Sequence, residues 1–243
     1  AIVYAIGECA MESGIKARKL AQDMEKVMKD NSVAAVVLRV DSPGGDAMAS
    51  DYIAEIIRRY KDKKPVIVSQ GMVAASGGYW LSMDADKIVA SPMTITGSIG
   101  VIAAWMYDKG LANDIGITTD FVSKGKHADL GHTWRLPLIG LGLPVRNLSD
   151  EELNEWKEKI KVMYDEFVTM VANGRQMDKE KVAEIAQGRV WSGMDGNENG
   201  LVDNLGGLWK AIETAKKEAG IEPDEDCTYE QYPEPELFDF GSL

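Results

Sequence analysis

The chain has 243 residues, 45% of them hydrophobic, which supplies an ordinary globular core and points to one folded domain. A formal net charge of -12 leaves no basic cluster to meet a phosphate backbone, so a nucleic-acid partner is excluded and an anionic lipid surface disfavoured. Cys9 and Cys227 lie near opposite ends without metal-ligand spacing, giving neither a disulfide framework nor a zinc site, and no apolar run reaches membrane-spanning length.

Ala1-Ile2-Val3-Tyr4-Ala5-Ile6 reads as a strand already under way at the first residue, so we expect a piece of a longer polypeptide. Residues 17–29 put Leu20, Met24, Val27 and Met28 on one helical face among charged neighbours, the pattern of an amphipathic helix. The run Val33 to Val40 has the pattern of a strand buried on both faces of a parallel sheet. A second amphipathic helix over about 47–61 leads through Lys63-Lys64-Pro65 to a buried strand at 66–69, so strand and helix alternate. A short helix rich in small residues then reaches Asp84, and Lys87-Ile88-Val89-Ala90 reads as a strand. A Gly/Thr/Ser turn at 94–100 runs into apolar Val101 to Ala104, and a further strand is expected around Thr118–Val122. Residues 134–147, with Trp134, Pro137, Leu138, Ile139, Leu141, Leu143 and Pro144, show no period and read as a proline-broken apolar loop that should touch something. Asn147 to Glu152 signal a helix start with acids in the first turn, and the helix should reach about Val171. Two shorter helices close a domain spanning residues 1–220, and residues 221–243 read as an acidic, loosely held tail.

The turns of this α/β pattern fall at strand ends, where an open sheet builds its site. Ser76 lies in Val73-Ala74-Ala75-Ser76-Gly77-Gly78-Tyr79-Trp80. Small residues on both sides let backbone approach, so that the Gly77 amide can face a developing oxyanion and Ser76 can act as nucleophile. The same octapeptide also reads as a small-residue turn opening a packed helix. Ser42-Pro43-Gly44-Gly45 ends a buried strand and offers either a second oxyanion amide or a plain turn, and Ser98 in Thr96-Gly97-Ser98-Ile99-Gly100 offers a hydroxyl to orient an amine or turn chemistry alone. Asp195-Gly196-Asn197-Glu198-Asn199-Gly200 matches half of a calcium loop, but the twelfth position is Gly206 rather than glutamate, so it reads as a turn. His127 and His132 are five apart on a loop with no third ligand, and we expect neither a metal nor a cofactor. Neither histidine completes a Ser-His-Asp pattern, so a serine enzyme here needs another base, for which lysine is the known substitute.

Jointly, Asp41-Ser42-Pro43-Gly44-Gly45, the segment Met72 to Trp80 and Thr94 to Gly100 resemble the signal peptide peptidase A (protease IV) family of S49 serine peptidases. Ala186 to Gly193 and Gly200-Leu201-Val202-Asp203 match it too, and the resemblance runs from residue 1 to about 220. It implies an α/β fold of crotonase or Clp type, with stacked sheets and surrounding helices. It further implies a Ser/Lys dyad that hydrolyses apolar peptides such as cleaved signal peptides, at a bacterial inner membrane facing outward or a plastid thylakoid. On this resemblance Ser76 is the nucleophile, the Gly77 amide one oxyanion donor, Gly44 or Gly45 the other, and Ser98 the holder of an unprotonated lysine amine. The family's lysine sits in a Gly-x-Tyr-Lys segment, and Gly125-Lys126-His127-Ala128 stands in its place, with Ala128 where the lysine belongs. That departure resembles the C-terminal repeat of the long two-repeat form, whose N-terminal repeat supplies the lysine. The expected partners are therefore peptide substrates, an upstream lysine-bearing repeat and further copies of the chain, with membrane contact through a segment outside this sequence. Lys126 and Lys124 are the substitutes within it. A crotonase-like acyl-CoA hydratase or isomerase, which calls for a carboxylate pair near the site, and a non-catalytic assembly domain stand as alternatives.

Overall fold

The computed structural model describes residues 1–107, 110–135, 141–222 and 224–233. In chain order its elements are β1 (Ile2–Ile6), α1 (Ala17–Lys29), β2 (Val36–Ser42), α2 (Ala47–Tyr60), β3 (Val66–Ala75), α3 (Gly77–Trp80), β4 (Lys87–Ala90) and β5 (Ile95–Gly97). There follow α4 (Leu111–Asp114), β6 (Thr133–Arg135), β7 (Gly142–Pro144), α5 (Asp150–Arg175), α6 (Lys179–Ile185), β8 (Val190–Ser192), α7 (Gly193–Glu198), β9 (Asn204–Leu205), α8 (Leu208–Glu218) and β10 (Gln231–Tyr232). They fall into two compact units, residues 1–101 with 164 onward, and residues 102–163.

The first unit is built on a sheet with strand order β10-β1-β2-β3-β4-β9, every pair parallel. Its strands are apolar at consecutive positions because both faces are covered. Val3, Ala5, Leu38, Val40, Val68 and Ile88 point into the main core, which α1 and α2 fill with Leu20, Met24, Ile53 and Ile57 and α5 fills with Phe167 and Val171. The alternate residues Ile2, Val37, Ile67 and Val89 meet Ala211, Ile212 and Ala215 of α8 on the other face. Asp46 caps α2 by accepting the Ala49 N–H at 2.9 Å. β5 pairs with the far half of β3 and, antiparallel, with β8.

In the second unit β6 and β7 form an antiparallel pair. The first turn of α5 is locked by a reciprocal capping box: Ser149 Oγ accepts the Glu152 N–H at 3.3 Å and Glu152 Oε2 accepts the Ser149 N–H at 2.8 Å. Arg146 donates to both oxygens of Glu152 at 2.8 Å, and His127 Nδ1 sits 2.8 Å from Oε1. These donors, Arg146 first, hold the Glu152 carboxyl far below the usual carboxylate range.

Several sequence expectations need correction. β3 runs to Ala75 rather than stopping at 69, because β5 takes over as its neighbour where β4 ends. The strand expected at Thr118–Val122 does not form among the described residues; Val122 is fully exposed and no strand pairs with it. The loop at 134–147 contributes β6 and β7 at its ends, while Pro137, Leu138 and Ile139 lie outside the described residues. The turn at Asp195–Gly200 is mostly helix α7, capped by Ser192 Oγ on the Asp195 N–H at 3.1 Å. Beyond residue 220, β10 pairs with β1, and residues 223 and 234–243 lie outside the described residues.

Two outcomes follow from this packing. Phe167 is buried and rests against Trp80, with ring centroids 4.6 Å apart. Phe167→Ala should cost about 3–5 kcal/mol in urea denaturation, and a loss below about 1 kcal/mol would contradict the assigned core. Because folding depresses the Glu152 pKa, its contribution is present above the unfolded value near about 4.3 and is lost as pH falls through the folded one. Hydrogen-exchange protection in the first turn of α5 should therefore fall with acid below about pH 4, and Glu152→Gln should start lower and lack that step. Identical acid profiles would contradict the capping assignment.

Candidate active site

Three parallel strands, β2, β3 and β5, end side by side, with Ser42 opposite Ala74 and Ala75 opposite Gly97. Their ends bring together the Ser42–Asp46 loop, Ser76 and Ser98, all of them candidates from the sequence. Ser76 follows β3 directly and opens α3, with φ 54° and ψ -119°. A side chain rarely adopts this geometry, and it persists only where neighbours over-determine it. Here the Ser76 N–H donates to Gly97 O at 2.9 Å, while its carbonyl accepts from the Tyr79 and Trp80 amides at 2.9 Å each. Tyr79 is anchored by its hydroxyl on Leu201 O at 2.9 Å, and Trp80 by its indole N–H on Asp51 at 3.2 Å. Ser76 itself stays half-exposed, and no described residue hydrogen-bonds its hydroxyl.

The Ser42–Asp46 loop lies against this turn. A Cβ on Gly44 would come within 2.7 Å of Gly77 N and 2.8 Å of Ser76 Cβ, so only glycine permits the approach. The two glycine amides differ. The Gly44 N–H donates to Ser42 Oγ at 3.2 Å, whereas Gly45 is exposed and no described residue takes its N–H. The loop is fastened to Cys9, whose N–H donates to Gly44 O and whose carbonyl accepts from Asp46, both at 2.7 Å. Cys9 Sγ lies 3.4 Å from Ser42 Oγ. Burial pushes the Cys9 thiol up, so it stays protonated and packs beneath the site as a small apolar group. Sequence reading missed Cys9, and no signal in its neighbours reveals it.

Ser98 is also held at positive φ, 49°, its N–H donating to Arg189 O at 2.8 Å. The Gly188 N–H donates to Ile99 O at 2.9 Å, and Trp191 packs where a Cβ on Gly97 would sit. The motif Ala186 to Gly193 thus clamps the strand end that carries Ser98 and receives the Ser76 amide.

Gly125 to Ala128 belong to the second unit. Lys126 Nζ lies 2.6 Å from both oxygens of Glu151, an exposed pairing that raises its pKa. Among the described residues, His127, Glu151 and Glu155 could hold a metal ion, with ligand atoms within 4.8 Å of one another; Lys126 already satisfies Glu151 there. Asp41 and Asp46, the acids beside the loop glycines, both accept from backbone amides.

Residues 58–222 match the sequence profile of Peptidase family S49. The chain is 39% identical to "Serine protease SPPA, chloroplastic" of Arabidopsis thaliana over 92% of its own length and 32% of that relative's. It is 41% identical to "Protease 4" of Haemophilus influenzae, over 82% of this chain and 30% of that protein. To "Putative signal peptide peptidase SppA" of Enterococcus faecium it is 37% identical, over 80% of this chain and 54% of the relative. It therefore spans about a third of the first two and about half of the third. With its profile match covering more than half the sequence, the chain belongs to peptidase family S49.

Proposed function

We propose that this chain is the serine-bearing part of a serine endopeptidase that hydrolyses extended apolar peptides such as cleaved signal peptides, on a fold of crotonase or Clp type. The observation that carries the reading is the strained turn at Ser76, whose hydroxyl has no hydrogen-bond partner among the described residues and against which the Gly44-Gly45 loop packs, with Gly77 N and Gly45 N both lacking a described acceptor. The occupied Gly44 amide favours Gly45 as the second oxyanion donor. An acyl-CoA reading needs a free carboxylate pair, and Asp41 and Asp46 are both held by backbone N–H groups.

In the proposed reaction a neutral lysine amine takes the proton from Ser76 Oγ as that oxygen bonds to the scissile carbonyl carbon. The carbonyl electron pair moves to an oxyanion that accepts hydrogen bonds from Gly77 and Gly45. Collapse breaks the C–N bond, and the lysine returns its proton to the leaving amine. Water, deprotonated by the same lysine, then cleaves the ester and frees Ser76. Ser98 holds the amine. The lysine comes from another repeat, because Ala128 occupies the family's position, Lys126 and Lys124 lie two and four residues before it, and Lys126 is engaged by Glu151. Exposed Met48, Tyr52, Met72 and Met93 supply apolar surface for the substrate. Assembly with a lysine-bearing repeat and with further copies, and a place at a bacterial or plastid membrane, belong to the same proposal.

The test is turnover of a fluorogenic apolar peptide. The chain alone should hydrolyse it poorly, and adding the lysine-bearing repeat should raise the rate by about 100-fold or more, the usual range for a positioned base. Brisk turnover by the isolated chain, abolished by Lys126→Ala, would contradict the shared dyad.

A further inference from the structure

Between Val40 and Ser42 of β2 and their partners Gln70 and Ala74 of β3, the second strand carries two surplus residues. The surplus is a bulge at Gly71–Val73, placed where β3 leaves one neighbour for another: its last pair with β4 is Gln70 with Ala90, and its first with β5 is Val73 with Ile95. A bulge leaves backbone groups outside the ladder, and these need other partners. Asp41 supplies them. Its Oδ2 accepts the Met72 N–H at 3.3 Å and its Oδ1 accepts the Val73 N–H at 3.1 Å. From the other side Thr94 Oγ1 donates to Gly71 O at 2.7 Å. A Cβ on Gly71 would lie 2.5 Å from Asp41 Oδ2, so glycine leaves the room the carboxylate fills. The Asp41 carbonyl in turn accepts from the Gly7 N–H at 2.9 Å.

We infer that Asp41 is a positioning residue, whose carboxylate fixes the bulge and thereby the placement of Ser76 relative to the Gly45 amide. The inference rests on the proposed role of Ser76. Val73 stands shortly before Ser76 on one strand, and Asp41 shortly before Gly45 on the other, so this contact is a side-chain tie between the two strands just before they part toward the nucleophile and the oxyanion donor. Loss of the acceptor frees two amides and lets β3 relax its register. Displacement by about 1 Å at a reacting centre is enough to cost about 100-fold in rate.

The experiment compares Asp41→Asn, which keeps one carbonyl acceptor, and Asp41→Ala with the parent protein, each assembled with the lysine-bearing repeat. We expect kcat to fall about 10- to 100-fold for alanine and less for asparagine, with KM nearly unchanged. Phosphonylation of Ser76 by a fluorophosphonate should slow in the same order, while the thermal midpoint of Asp41→Asn stays close to that of the parent. Parental kcat and labelling rate in folded Asp41→Ala, or a loss that only follows the folded fraction, would overturn the inference. If the alanine variant does not fold, the asparagine variant decides by the same two rates. Ser76→Ala run in parallel separates the failures: turnover that survives it contradicts the nucleophile assignment itself.

Discussion

The site depends on one backbone constraint, the positive φ of Ser76. A non-glycine residue in so sparsely populated a region costs about 1–3 kcal/mol, and the surroundings must supply that stabilisation. They do so through both peptide groups of the residue: β5 accepts its N–H, and the first turn of α3 donates to its carbonyl. The conformation carries the chain from a buried strand straight into a helix, with the Ser76 side chain partly exposed and its hydroxyl without a hydrogen-bond partner among the described residues.

That constraint explains why so much of the first unit is small or buried around the corner. Gly77 and Gly78 stand where a Cβ would lie 2.4 Å from Ser50 Oγ and from Ser42 O, respectively. Tyr79 is fully buried, with its hydroxyl bound, and burial raises its pKa, so it serves as an anchor rather than a proton donor. The rigid parallel sheet beneath, covered on both faces, keeps the ends of β2, β3 and β5 in fixed register. Chemistry is thereby left to loops on a stiff base, the usual division of labour at strand ends.

Much of this was legible in the sequence. Amphipathic spacing located α1 and α2 closely, and small residues around Ser76 and after Ser42 marked the strand-end loops because close backbone approach tolerates nothing larger. Other features were not legible, for physical reasons. The continuation of β3 to Ala75 depends on β5, a partner distant in sequence, and its bulge depends on Asp41 across the sheet. The choice between Gly44 and Gly45 turns on which amide Ser42 Oγ occupies, a matter of loop geometry. Thr118 to Val122 have β-favouring residues, yet a strand needs a neighbour, and none pairs with them among the described residues.

In the proposed function Ser76, Gly77 and Gly45 form one preorganised half of a peptidase site. The most direct measurement is a crystal structure of the chain treated with an apolar peptidyl boronate. Boron should be bonded to Ser76 Oγ, with one boronate oxygen accepting from both Gly77 N and Gly45 N at about 2.7–3.1 Å. A boronate on another residue, or an adduct on Ser76 whose oxygen is bound by neither amide, would contradict it.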